Sequence, residues 1–329
     1  RRISNTSRIT RMKMPEELYS LKAKRVWVAG HRGMVGSALV RRLESEDCEV
    51  LIATREQLDL CNQAAVNTWV TEEKPDAVFL AAATVGGIDA NRSRPADFIY
   101  NNLSIETNII HAAWKNDVGK LMFLGSSCIY PRLAPQPMRE EDLMGGPLEP
   151  TNQWYAIAKI AGIMLCQAYR QQHGCDFISA QPTNLYGIGD NFDLQSSHVL
   201  PALMAKAHQA KADNSKSMGV WGSGNPKREF LFVDDLADAL VHMMKHYSDD
   251  IQINVGTGED ISIREAAEMV AQVVGFTGEL AFDASMPDGS PRKLLNVDRL
   301  TELGWTAGTS LEDGLKQTYG WYLENHVNG

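Results

Sequence analysis

Basic charge, paired cysteines and long apolar runs are all scarce in this chain, and each shortage removes a class of function. Lys and Arg number 32 against 41 Asp and Glu, a formal charge of -9, which argues against a general nucleic-acid binder. An anionic small ligand remains compatible wherever basic residues cluster locally. The five cysteines, at 48, 61, 128, 166 and 175, are odd in number and form no CxxC pair, so neither a disulfide framework nor a metal site is expected. A reducing, cytoplasmic compartment is the simpler expectation. No stretch approaches the ~18 consecutive apolar residues of a membrane span, and no membrane partner is expected.

What is present is the composition of a globular protein: 329 residues, 44% hydrophobic and 22% charged, enough chain for one large or two ordinary domains. The first 23 residues stand apart, because Arg1, Arg2, Arg8, Arg11 and Lys13 precede the first acid, Glu16. That bias is faintly the bias of an organelle transit segment, but a disordered extension over residues 1–23 is the simpler expectation.

The fold is expected to start at Lys24. RVWVAG (Arg25 to Gly30) reads as a buried strand, followed by a GxxGxxG turn through Gly30, Gly33 and Gly36 and an apolar-periodic helix. Strand, glycine turn and helix in that order suit a dinucleotide, whose pyrophosphate can approach the backbone at a helix N-terminus. A second strand ends at Thr54-Arg55, where NAD-specific folds usually carry a carboxylate. Arg55 suits a 2′-phosphate instead, with Arg32 assisting, so NADPH is favoured over NADH. Glu56 is read as a solvated acid beside that site.

A further strand, Asp76 to Ala81, leads into the small residues Ala82 and Ala83, and a helix over Ala96 to Asn116 carries His111, read as a packing residue. Strand Lys120 to Gly125 then stops at Ser126 and Cys128, the kind of strand end where an open α/β sheet presents side chains to a ligand. After a Pro- and Gly-rich loop, Tyr155 and Lys159 stand four residues apart on a helix that runs to His173. At that spacing the ammonium lies one turn from the phenol and should favour its ionised form. Past residue 190 the β-α alternation loosens, and Val220 to Gly224 reads as a turn containing Trp221. The fold class expected is α/β, a Rossmann-type doubly wound parallel sheet over residues 24–190 with contributions from later segments. A smaller α/β substrate-binding lobe is expected mainly over 191–329.

With the glycine pattern, Ser126 and the Tyr155-Lys159 pair in view, the chain resembles the extended short-chain dehydrogenase/reductase family. The match is carried by AGHRGMVGSA (Ala29 to Ala38), LGSSCIYP, EPTNQWYAIAKIAG (Glu149 to Gly162), PTNLYG, SHV (Ser197 to Val199), VWGSGNPKREFL, NVGTG and PDGSPRKLL. So many segments in one order are far more specific than any single motif. The resemblance is strongest to members that epimerise and reduce GDP-linked keto-deoxy sugars. It implies a homodimer using NADPH, with Gly30, Arg32, Gly33, Met34, Val35, Gly36, Arg55, Ala82, Ala83, Lys159, Pro182, Asn184, Leu185 and His198 around the cofactor. It implies Asn184, Lys206, Trp221, Arg228, Arg292 and Lys293 around the GDP-sugar.

The reaction so implied is 3,5-epimerisation and 4-keto reduction of GDP-4-keto-6-deoxy-D-mannose. A C4 ketone acidifies the protons on C3 and C5, and Ser126 and Tyr155 would donate to the enolate oxygen. Cys128 and His198 would remove and return protons, a free thiol (pKa about 8.5) being close to a useful base. Dehydratases of the larger family have an Asp-Glu pair where this chain has Cys128 and Ile129, so elimination chemistry is not expected. Two alternatives stay open: a colitose-type enzyme acting on a dideoxy keto-sugar, and a non-catalytic NADPH-binding regulator. The intact Ser126, Tyr155 and Lys159 weigh against the regulator.

Overall fold

The computed structural model describes residues 15–194, 196–286 and 288–327. β1 (Arg25–Ala29) is buried over its last four positions, as a strand covered on both faces must be. A glycine turn leads into α1 (Met34–Leu43), and the alternation continues with β2 (Glu49–Leu51), α2 (Gln63–Glu73), β3 (Ala77–Leu80), α3 (Ile88–Ser93) and α4 (Pro95–Lys115). Next come β4 (Lys120–Leu124), α5 (Gln153–His173), β5 (Phe177–Pro182), β6 (Asn184–Tyr186), α6 (Val199–Ala212), β7 (Ser217–Trp221), β8 (Lys227–Arg228) and β9 (Phe230–Phe232). The rest is α7 (Val233–His246), β10 (Ile253–Val255), β11 (Ile261–Ser262), α8 (Ile263–Val274), β12 (Glu279–Asp283), β13 (Arg292–Lys293), α9 (Asp298–Glu302) and α10 (Leu311–Tyr322).

Six strands form one parallel sheet in the order β10-β5-β4-β3-β1-β2. Successive side chains of β1 point to opposite faces, and each face has its own core. Val26 and Val28 pack with Leu39 of α1 and with Leu236 and Leu240 of α7. Trp27 and Ala29 pack with Val66 of α2, Ile109 of α4 and Ile163 of α5. Because β2 lies on one side of β1 and β3 on the other, the chain changes direction between β1 and β3. Ligands bind beyond the carboxyl ends of strands at such a point.

A third core joins α6, α8 and α10 through Leu203, Met204, Val270 and Leu315, with Val220 of β7 beneath them. This is the smaller lobe, edged by the pairings of β7 with β12 and of β8 with β11 and β13. The chain passes between the two lobes more than once. α7 returns to pack on α1, and β10 extends the main sheet beside β5. Trp221, expected in a turn, ends a strand instead; β7 alternates exposed and buried positions along its length, and the positive-φ residues Gly222 and Gly224 follow it.

The N-terminal expectation also needs correction. Residues 1–14 lie outside the described residues, but from residue 15 the chain is docked. The amides of Leu18 and Tyr19 donate to Lys245 O at 2.7 and 3.1 Å, the Tyr19 hydroxyl donates to Asp76 O at 2.9 Å, and Leu21 is 1% exposed. Tyr19 and Leu21 are apolar enough to bury, whatever the charge of the residues before them. Leu21→Ala is expected to lower unfolding free energy by about 2–4 kcal/mol in urea denaturation, the cost of emptying a filled core position. A change within error would mean that this segment does not contribute to the core.

Candidate active site

The cofactor turn is built from backbone pressed on backbone. Gly30, at φ +91°, ends β1, and a Cβ there would stand 2.7 Å from the Ala82 backbone across the change of direction. A Cβ on Gly36 would stand 2.1 Å from Gly30 O. Gly33 N donates to Gly30 O at 3.0 Å and closes the turn. No side chain caps α1, and its first turn, which begins with Met34 and Val35, carries no acid. Its free N–H groups and positive end are therefore available to a pyrophosphate, and the residues present fit a dinucleotide. Ala82 is buried and Ala83 half-buried beyond β3. Arg32 and Arg55 are both exposed beside Glu56, which lies 3.7 Å from Arg32 and is held below the usual carboxylate range, first by its own backbone and Thr54 and then by the two guanidiniums. Two cations around one exposed acid leave positive charge for a 2′-phosphate.

At the carboxyl end of β4 the reaction cluster assembles. Ser126 N donates to Gln181 Oε1 at 2.9 Å, and Cys128 N donates to Ser126 Oγ at 3.3 Å. The Ser126 side chain is near enough to the Tyr155 phenol to favour its ionised form. Asn152 Nδ2 donates to Cys128 Sγ at 3.2 Å. Lys159 Nζ, on a side chain 2% exposed, stands 4.8 Å from the centre of the Phe123 ring and 5.9 Å from that of Tyr155. The spacing thus delivers the expected face of α5.

The electrostatics differ from the sequence expectation. Lys159 is paired at 2.9 Å with Glu106 of α4, itself 1% exposed. Burial, then the charges of Cys128 and Glu106, push the Tyr155 phenol up, against the pull of Ser126. Tyr155 is therefore a protonated donor at neutral pH and not a phenolate. Burial likewise raises Glu106, opposed by Lys159.

His198 directly precedes α6 and is exposed as a residue, yet desolvation by the surrounding protein lowers its pKa and favours the neutral imidazole. A Cβ on Gly87 would stand 3.3 Å from Ser196 O, so this segment packs against the small-residue turn after β3. Pro182 ends β5 in register with Val255 of β10, and Leu185 of β6 packs against the first core. Asn184 Nδ2 donates to Glu229 O at 2.8 Å, leaving its carbonyl oxygen for a ligand.

On the opposite lobe, Lys206 Nζ lies 4.9 Å from the centre of the Trp221 ring, and burial lowers its pKa. Trp221 is 60% exposed and so is no core residue. Burial also lowers Arg228, with Asp288 opposing. Lys293 stands in register with Arg228 in the β13-β8 pair. Alternation along β13 points Arg292 away from Lys293, and its guanidinium is ion-paired with Asp260.

Three buried residues in contact with the expected site residues or their segments escaped the sequence reading. Glu106 is an acid on the buried, largely apolar side of α4, and that incongruity was its only signal. Gln181, 0% exposed, aims its Oε1 where a Cβ on Gly125 would stand 1.9 Å away. Glu229, also 0% exposed, accepts from Gly258 N at 2.8 Å and Leu295 N at 3.0 Å, and so ties the Arg228 and Lys293 segments to the end of β10.

A family model described as the NAD dependent epimerase/dehydratase family matches residues 26–256. The chain belongs to the NAD dependent epimerase/dehydratase family. This epimerase/dehydratase chain is 58% identical over 308 residues to GDP-L-fucose synthase of Sinorhizobium fredii, across 94% of this chain and 98% of the relative. It is 56% identical over 315 residues to GDP-L-fucose synthase of Escherichia coli K12, across 93% and 98%. Within the family it therefore groups with the GDP-L-fucose synthases. A GDP-L-fucose synthetase from Naegleria fowleri bound to NADP superposes with a TM-score of 0.86 at 29% identity, over 95% of this chain and 97% of that one. GDP-L-colitose synthase of Yersinia pseudotuberculosis is more distant, at 35% identity over 92% and 99%.

The buried pair generates a prediction. Removing one partner strands a charge in the core, so Glu106→Leu or Lys159→Met alone is expected to cost about 3–5 kcal/mol of stability. Combining them is expected to recover most of that loss in urea denaturation while reductase activity stays absent. If the double variant is as unstable as the sum of the singles, charge compensation is not what holds the pair.

Proposed function

We propose that this chain converts GDP-4-keto-6-deoxy-D-mannose to GDP-L-fucose by 3,5-epimerisation followed by NADPH-dependent reduction at C4. The observation that carries the reading is the Cys128 thiol set beside Ser126 and the protonated Tyr155. A reductase needs the phenol; inverting the neighbouring carbons needs the thiol as well. The 58% identity to a GDP-L-fucose synthase supports the same substrate.

Ser126 and Tyr155 donate to the C4 oxygen, so that the charge of the enolate develops against prepared hydrogen bonds. Cys128 and His198 take and return the protons at C3 and C5; the neutral imidazole begins as an acceptor. Bound NADPH supplies the hydride to C4. Tyr155 then protonates the oxygen, and Lys159, held by Glu106, would hold the nicotinamide ribose. Gly30, Gly33 and Gly36 receive the pyrophosphate, with Arg32 and Arg55 at the 2′-phosphate. Lys206, Trp221, Arg228 and Lys293 receive the GDP-sugar. We assign residues 191–329 mainly to the substrate lobe, except for the segments that return to the main sheet, and the location as cytoplasmic. The exposed Trp154, Ile157 and Met164 on α5 and Tyr100 on α4 support a homodimer formed through those helices.

Incubation with NADPH and the keto-sugar, with the product identified by NMR, tests the whole reading. GDP-L-fucose is the expected product, and preference for the dideoxy substrate in competition would favour the colitose-type reaction. In heavy water, Cys128→Ser is expected to lower deuterium incorporation at C3 and C5 by at least about a hundredfold, the scale of lost general-base catalysis, without weakening NADPH binding. Unchanged exchange would remove Cys128 from the chemistry. Arg55→Ala is expected to raise KM for NADPH about tenfold and leave KM for NADH nearly unaltered, as removal of one charged hydrogen bond should; equal effects would exclude the 2′-phosphate contact.

A further inference from the structure

Asn152 stands immediately ahead of α5, and its side chain does something its position does not explain. Its backbone carbonyl accepts from Ala156 N at 3.0 Å, as the first residue of a helix should. An asparagine there ordinarily turns its side-chain oxygen onto the free N–H groups of the helix, which stabilises by about 1 kcal/mol. Here no side-chain cap is made. Instead Nδ2 donates to Cys128 Sγ at 3.2 Å, and Oδ1 is buried without a partner. A missing cap and an unpartnered buried oxygen both cost stability, and the contact made in exchange is the one to sulfur.

We infer that Asn152 is a positioning residue for the epimerisation, its amide N–H holding the Cys128 sulfur in place beside Ser126 and Tyr155. An amide nitrogen only donates, so its contact stabilises a thiolate more than a thiol. The charged groups nearby do not provide this. Tyr155, on α5, is the titratable neighbour that Cys128 acts on, and it is a protonated donor. Lys159 is engaged by Glu106, while Glu149, on the loop before α5, engages Arg132 at 3.3 Å and Thr151 at 3.2 Å. Asn152 also begins the helix that carries Tyr155. One rigid segment therefore sets both the base that takes a carbon-bound proton and the acid that serves the carbonyl. With the amide turned round, its oxygen would accept from S–H and hold the thiol neutral, so the two orientations give opposite signs in one experiment.

The inference rests on the base role proposed for Cys128, and its test begins where no sugar is needed. Iodoacetamide labelling of the Cys128 peptide in the full chain, followed by mass spectrometry, is compared at pH 7 and about pH 9.5, above the ordinary thiol range. Labelling at pH 7 is expected to be about tenfold slower in Asn152→Ala than in the parent, the scale of a lost hydrogen bond to a charged group, and slower still in Asn152→Asp. The rates should converge at the higher pH. Asn152→Ser, which restores the helix cap without restoring the N–H, is expected to be as slow as alanine while unfolding no more readily than the parent, which separates the effect from damage to the helix. Deuterium incorporation at C3 and C5 should fall in parallel with labelling, with NADPH affinity unchanged. Labelling at pH 7 that is unchanged or faster in Asn152→Ala overturns the proposal. Slower labelling with undiminished exchange at C3 and C5 overturns the reaction role, and the base assignment of Cys128 falls with it.

Discussion

A lysine ammonium that is 2% exposed must find an opposite charge inside the protein, and much of this site is arranged around where Lys159 finds one. Glu106 comes from α4, the helix packed most extensively along α5, so the pair also locks the two helices in register. The phenol one turn away consequently feels a nearly neutral dipole in place of a bare cation. With its burial uncompensated, Tyr155 keeps its proton, as the acid role proposed for it requires.

Charge compensation of the same kind appears on the far side of the cleft in a different form. Glu229 carries a buried carboxylate satisfied by backbone N–H groups of two separate segments. Its burial raises its pKa, and those backbone contacts pull the other way. The effect is to clip the short strands bearing Arg228 and Lys293 onto the end of the main sheet. The smaller lobe thus borrows its geometry from the larger one, which is why the chain passes back and forth between them.

The main sheet was legible because its strands are short apolar runs bounded by glycine and small residues, and the Tyr155-Lys159 spacing could mean little else on a helix. What stayed hidden depends on partners far apart in the chain. Nothing local says that Glu106 meets Lys159, or that Arg292 is claimed by Asp260. Asn152 looks like an ordinary helix-capping asparagine, and only the direction of its side chain says otherwise. At Trp221 the strong turn signal of the following glycines concealed a strand whose alternation was available to be read. At the N-terminus the basic residues drew attention from Tyr19 and Leu21, which dock.

The glycine turn has one more consequence. Gly30 and Gly36 touch other backbone directly, so that part of the cradle admits no side chain at all. Arg32 and Arg55, by contrast, stand exposed on loops outside any packed core. If Arg32 and Arg55 read the 2′-phosphate as proposed, recognition of the dinucleotide and choice between its phosphorylated and unphosphorylated forms fall to physically separate parts. The first is locked by geometry. The second is a detachable trait: a lineage could exchange one coenzyme for the other by altering loop charge alone, with no repacking of the sheet beneath.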